Sequence, residues 1–207
     1  MTSKTVYLAV YPTFADWETG HTTAHLAQHG YAIRTVGPSL DPVSTMGGVR
    51  IQPDVSINDV HPGSDADVSM LILTGAELWD MGDELAPFAR KAREFLAAGV
   101  PVAAMCGATA GLAREGLLDD RAHTSAAAGY LAATGYEGGR RYVDTDAVTD
   151  GDLITAGPTE PVAFAREVFG KLGVYEGEVL DAWYRLFHDS DLSAYEVLMA
   201  AEGAGVE

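Results

Sequence analysis

Short apolar runs alternate along this chain with segments whose apolar residues recur at helical spacing, and that alternation constrains the fold more than any other feature. The runs TVYLAVYP (5–12), DVSMLILTG (67–75) and VPVAAM (100–105) are continuous in apolar residues. Strands buried on both faces read this way. YAIRTVG (31–37) predicts a further strand. Between them lie a helical stretch from about Asp16 to His29, and DELAPFARKAREFLAAG (83–99). The second carries Leu85, Phe88, Ala92, Phe95 and Leu96 on one face and is closed by Gly99. GATAGLAREGLL (107–118) predicts the next helix. Strands separated by helices of this length pair in parallel, and the helices cover both faces of the sheet.

The rest of the chain continues the pattern with shorter pieces. PVSTMGGVRIQPD (42–54) predicts a hairpin turning at Gly47–Gly48. RAHTS (121–125), RRYVD (140–144) and DAVTDGDLITAG (146–157) predict short strands, the last with a tight Asp150–Gly151 turn. TEPVAFAREVFGKLG (159–173) predicts a helix with Thr159 as N-cap and Pro161 in its first turn. EGEVLDAWYRLFH (176–188) and DLSAYEVLMAAEG (191–203) predict two amphipathic helices. With no internal repeat, low-complexity tract or linker, residues 1–207 are expected to form one domain, 174–207 being a helical C-terminal extension.

Composition narrows the function classes. A net charge of −17 opposes nucleic-acid binding, because phosphates need clustered Lys and Arg, and disfavours an anionic membrane surface. The first apolar run is too short to span a bilayer and lacks a signal-peptide cleavage pattern. A single cysteine cannot form an internal disulfide, so a cytoplasmic location is expected. MGGVR (46–50) lacks the Lys-Ser/Thr ending and the following helix of a phosphate loop, and no cofactor is expected.

That one cysteine, Cys106, stands where an apolar strand turns into a helix. Ligands of parallel α/β folds bind at the carboxyl ends of the strands, near the point where strand order reverses. A strained strand-to-helix elbow needs small neighbours, and Gly107, Ala108 and Ala110 are small. Helix N–H groups and the dipole would favour thiolate there. A buried structural cysteine is the competing reading. Glu18 follows the first strand. If that strand lies beside the cysteine strand, a carboxyl raised in pKa by burial and like charge could hydrogen-bond the sulfur. Alone, Glu18 would read as an acid favoured by a helix N-terminus. His21, His25 and His29 share a helix face with Glu18, a stripe about three turns long and so too extended for one ion. It is expected at a dimer contact or in solvent, with no metal.

FADWE (14–18), LILTG (71–75), VAAMCGATAGLAREGLL (102–118) and GDLITAGPTEPVAFAREVFGKL (151–172) together resemble the ThiJ/PfpI superfamily, over about residues 4–173. This group includes the human Parkinson-disease-linked protein deglycase, PfpI-type proteases and class I glutamine amidotransferase-like folds. The resemblance implies a flavodoxin-like α/β sandwich, usually dimeric, with a nucleophile-elbow cysteine. It implies Cys106 as nucleophile or redox-sensing thiol, Glu18 as its carboxyl partner, and Gly75 and the Gly107 N–H as oxyanion donors. Trp79, after the oxyanion loop, would wall the pocket or pack in the core.

Departures from the family separate its branches. Gly107 stands where PfpI-type members have histidine, and Trp17 where isocyanide hydratase-like members have aspartate. No His-x-Glu triplet of the glutamine amidotransferases follows Cys106. His123 offers the general base that deglycase-like members supply after the elbow helix, but one to three positions early. An odd offset on a strand would turn it to the opposite face, as a satisfied buried or interface histidine. Thr124 or Ser125 would then face the sulfur. The expectation is a cysteine-dependent enzyme acting on a small electrophilic carbonyl or acyl substrate, glyoxalase-like or hydrolytic. The alternative is a dimeric oxidative-stress sensor or chaperone-like protein whose cysteine oxidises without turnover.

Overall fold

The computed structural model describes residues 4–63 and 67–204. The chain runs β1 (Thr5–Ala9), α1 (Gly20–Gln28), β2 (Ala32–Gly37), β3 (Val43–Ser44), β4 (Arg50–Ile51), β5 (Val55–Ser56) and β6 (Val68–Leu73). It continues with α2 (Leu78–Met81), α3 (Ala86–Ala97), β7 (Val102–Met105), α4 (Gly107–Arg114) and α5 (Ala128–Ala132). Strands β8 (Ala147–Asp150) and β9 (Leu153–Ala156) precede α6 (Pro161–Leu172), α7 (Gly177–His188) and α8 (Tyr195–Ala204).

The main sheet has the order β5-β2-β1-β6-β7-β9-β8, and only β8 runs antiparallel to its neighbour. Every residue of β1, β7 and β9 is buried, as continuous apolar runs require. From β1 the chain moves outward to β2 and β5, then returns to the other side of β1 with β6. Strand order therefore reverses between β1 and β6, and the loops leaving β1, β6 and β7 emerge side by side. Helices α1, α6 and α7 pack together, as do α2, α3 and α4. Helix α7 joins the core through Trp183, whose ring lies 4.8 Å from Phe169 and 5.3 Å from His25.

Several local expectations meet their structure. The glycine pair turns the β3–β4 hairpin, with Val43 opposite Ile51 and Gly48 at φ +79°. Gly151, at φ +61°, turns β8 into β9. Others are corrected. The stretch 16–29 divides into a 3-10 turn, Asp16–Glu18, and α1. RAHTS and RRYVD add no strand to the sheet and meet only at a His123–Tyr142 bridge. The N-cap of α6 is Glu160, not Thr159, whose hydroxyl donates to the Glu160 carboxylate at 2.7 Å instead. The histidine stripe lies against rings of its own chain, with His29 exposed. His21 and His25 meet Trp183 and Phe187, and His29 meets Tyr175.

Candidate active site

Cys106 is the residue between β7 and α4, held at φ +51°, ψ −125°. A side chain at positive φ away from glycine costs about 1–3 kcal/mol and persists only where its surroundings hold it. Its N–H donates to Ala156 O at 3.1 Å, tying the elbow to β9. Its carbonyl accepts the Thr109 hydroxyl at 2.6 Å, and Thr109 Oγ1 lies 2.6 Å from Ser125 Oγ. Thr109 has one hydroxyl proton, given to that carbonyl, so Ser125 donates to Thr109. Below the elbow, the small residues serve Trp79. A Cβ at Gly111 would stand 2.2 Å from the indole Cζ3, and one at Gly107 3.0 Å from Trp79 Cδ1. The indole N–H reaches Thr74 O at 2.8 Å and the Tyr11 hydroxyl at 3.1 Å. Trp79 is thus a buried support that clamps the elbow helix to the end of β6, and it also lines a cavity of about 330 Å³ with Gly111 and Arg114.

Two loops bring Glu18 to this point. The chain after β1 zips to the chain after β6 through a Phe14–Ala76 bridge and Ala15 N–H donating to Gly75 O at 3.0 Å. The 3-10 turn that follows drops Glu18 into the interior, with none of its surface exposed. Gly75 N–H donates to Glu18 Oε2 at 2.6 Å. Oε1 receives no bond from any N–H or O–H and faces the thiol. A Cβ at Gly75 would lie 2.5 Å from Glu18 Oε1 and 3.0 Å from Cys106 Sγ, so carboxyl and sulfur crowd one point, and only glycine leaves it open.

The electrostatics follow from this crowding. Burial pushes the Glu18 carboxyl up to about 7, against the Gly75 N–H and the thiol, which favour its ionised form. Burial and the Glu18 charge push the Cys106 thiol up to about 11, while the Gly107 N–H pulls it down. The helix start therefore does not by itself yield a free thiolate. Two ionisable groups share the site, and the first proton leaves from near the carboxyl.

The residues expected around the thiol divide. Cys106, Glu18, Gly75 and Gly107 come together. The Gly75 amide has a single hydrogen, already given to Glu18, so as an oxyanion donor it is corrected, and Gly107 remains. His123 is fully buried, with Nε2 3.0 Å from the Tyr136 hydroxyl and Nδ1 2.8 Å from Arg121 O. Both nitrogens are engaged away from the sulfur, and burial holds the ring's pKa below its ordinary value. Thr124 likewise turns away, its hydroxyl donating to Thr145 O at 2.8 Å. Asp80, which accepts a 2.7 Å hydrogen bond from the Tyr130 hydroxyl, adds its negative charge to the field at Cys106. The two residues stand on α2 and α5, and no local pattern marks them. Tyr11 is also new. A hydroxyl at the end of a buried run must find a partner, a signal the sequence did carry.

The DJ-1/PfpI family model matches residues 4–171, a span that contains every residue of this site. The chain belongs to the DJ-1/PfpI family. Among its relatives, the uncharacterized protease YoaZ of Bacillus subtilis (strain 168) is 36% identical over 197 residues, covering 90% of this chain and 91% of YoaZ. The thiJ/pfpI family protein from Bacillus anthracis superposes with a TM-score of 0.87 at 33% identity, covering 97% of this chain and 98% of that one. The DJ-1 superfamily protein Atu0886 from Agrobacterium tumefaciens does so with 0.81 at 32% identity, covering 90% and 98%. The DJ-1/PfpI sheet, mostly parallel and flanked by helices, is thus the fold of this chain. No helix among the described residues is long and apolar enough to cross a membrane.

Proposed function

We propose that this DJ-1/PfpI protein is a cysteine-dependent enzyme acting on a small electrophilic carbonyl or acyl compound. The observation that carries the reading is the pairing of a half-buried thiol with a fully buried carboxyl whose pKa is raised to about 7. A general base is most effective when its pKa lies near the working pH. The Cys106 sulfur attacks the carbonyl carbon, an S–C bond forms, and the C=O π pair moves onto oxygen. The thiol proton passes to Glu18 and from there to the new alkoxide. The Gly107 N–H, directed at the elbow, stabilises developing negative charge. With an acyl substrate the C=O re-forms, the C–X bond breaks and the leaving group takes the proton. Water then cleaves the S–C bond of the thioester, giving a carboxylic acid and restoring the thiol.

The relatives named as proteases do not extend this reading to peptides, because Gly107 occupies the place of the PfpI-type histidine. In keeping with the family resemblance, we expect a cytoplasmic homodimer. The test is consumption of methylglyoxal and of a small thioester panel by wild type and Cys106→Ser. Saturable turnover lost in the serine variant supports the reading. Absence of turnover, with an intact mass that gains two oxygens under mild peroxide, would replace it with the oxidation-sensing alternative.

A further inference from the structure

Away from the elbow, three side chains that the proposed reaction does not use converge from separate elements. Asp146 stands just before β8, Glu160 just before α6, and His188 is the last residue of α7. One ligand atom from each lies within 4.8 Å of the others, and His188 Nε2 is 3.9 Å from Asp146 Oδ2. On the other side of the imidazole, Nδ1 is 2.6 Å from Asp189 Oδ1. A carboxylate that accepts a hydrogen bond from Nδ1–H leaves the Nε2 lone pair facing the two acids, the arrangement that metal-bound histidines adopt. Tyr184 stacks on the ring at 4.5 Å and 19° and fixes its plane. Beside the cluster lies a cavity of about 400 Å³ lined by Asp144, Asp146, Thr159 and Glu160, which gives an ion and its waters a way in.

We propose that Asp146, Glu160 and His188 bind one zinc-class divalent cation and so clamp α7 to the starts of β8 and α6. One imidazole with two carboxylates suits Zn²⁺, whereas Mg²⁺ and Ca²⁺ prefer an all-oxygen shell. Bonds of about 2.0–2.1 Å would set tetrahedral ligands roughly 3.4 Å apart. Closure of up to roughly 1.4 Å by exposed or half-exposed side chains meets that spacing. The competing arrangement is a protonated His188 held between Asp146 and Asp189 with no metal.

Calorimetric titration with Zn²⁺ tests this in a Cys106→Ser background, which removes the thiol as a ligand. Expected are one equivalent bound, affinity at least about tenfold weaker in His188→Gln and in Glu160→Gln, and a smaller loss in Asp189→Asn. Zn²⁺ should also raise the melting temperature of the background protein but not of its His188→Gln derivative. Because these side chains are exposed or half-exposed, circular dichroism should show all variants folded, and Asp146→Asn serves if one is not. The proposal is overturned if the background protein takes up no Zn²⁺, if His188→Gln titrates unchanged, or if Mg²⁺ binds as tightly as Zn²⁺.

Discussion

The cysteine elbow and the seam between α1 and α7 are both built around titratable side chains, and they treat them in opposite ways. In the seam, His25 Nδ1 meets the Tyr175 hydroxyl at 3.1 Å, and its Nε2 accepts the Trp183 indole N–H at 3.3 Å. The rings of Phe169, Tyr175, Trp183 and Phe187 pack around it, so the imidazole works as a packing element. At the elbow, Glu18 is fully buried where His25 is only half-buried, and one of its oxygens has no partner except a second ionisable group. Burial alone does not make a group reactive. Burial beside another proton carrier, with a hydrogen bond left open, does.

The largest effect that would sharpen this contrast is chemical. Cys106→Ser should reduce turnover by about 1000-fold or more while leaving stability nearly unchanged, since the nucleophile is lost and little volume changes. On the seam the reverse holds. Trp183→Ala removes a side chain that is 1% exposed and should cost about 3–5 kcal/mol in urea unfolding. Its thiol titration, followed by ultraviolet absorbance, should match wild type. A shifted midpoint would mean that the two regions are coupled and the contrast is false.

Glu18→Gln probes the elbow through pH. The folded carboxyl has a pKa raised from 4.5 to about 7. Its contribution to stability is therefore full below pH 4.5 and is lost as pH rises through 7. Wild type should lose on the order of 3 kcal/mol relative to Glu18→Gln between pH 5 and 8. Parallel stability curves for the two proteins would show that the carboxyl is not held neutral by burial.

Smaller effects test the supports. Gly111→Ala forces a Cβ to within 2.2 Å of the rigid Trp79 ring and should destabilise by about 1–3 kcal/mol, read as a lowered melting temperature. His123→Gln should cost roughly 1 kcal/mol through its Tyr136 contact and leave turnover within about threefold, whereas a general base would contribute 100-fold or more. A large loss of turnover there would return His123 to the reaction.

Much of this arrangement is legible in the sequence. Continuous apolar runs alternating with amphipathic helices dictate a buried parallel sheet, because backbone periodicity and burial act within one segment. The same local logic marks the elbow, where Gly107 and Ala108 follow Cys106, and the hairpin glycines Gly48 and Gly151, which take positive φ. Glu18 is legible as an acid in the segment after the first strand. That strand is not the neighbour of the cysteine strand, however: β6 lies between them, and the loop after β1 crosses its end to reach Cys106.

What only the tertiary structure decided is which partner each polar group takes. An amide has one hydrogen, and whether Gly75 offers it to an oxyanion or to Glu18 depends on how the loops after β1 and β6 zip together. His123 turned to Tyr136 because its segment never joined the sheet, so strand alternation had no hold on it. The histidine stripe found rings on α7, and Asp146, Glu160 and His188 met across three elements far apart in sequence. Sequence determines the segments, since their periodicity is intrinsic. Long-range packing assigns the hydrogen bonds, since donors and acceptors are matched by distance in space.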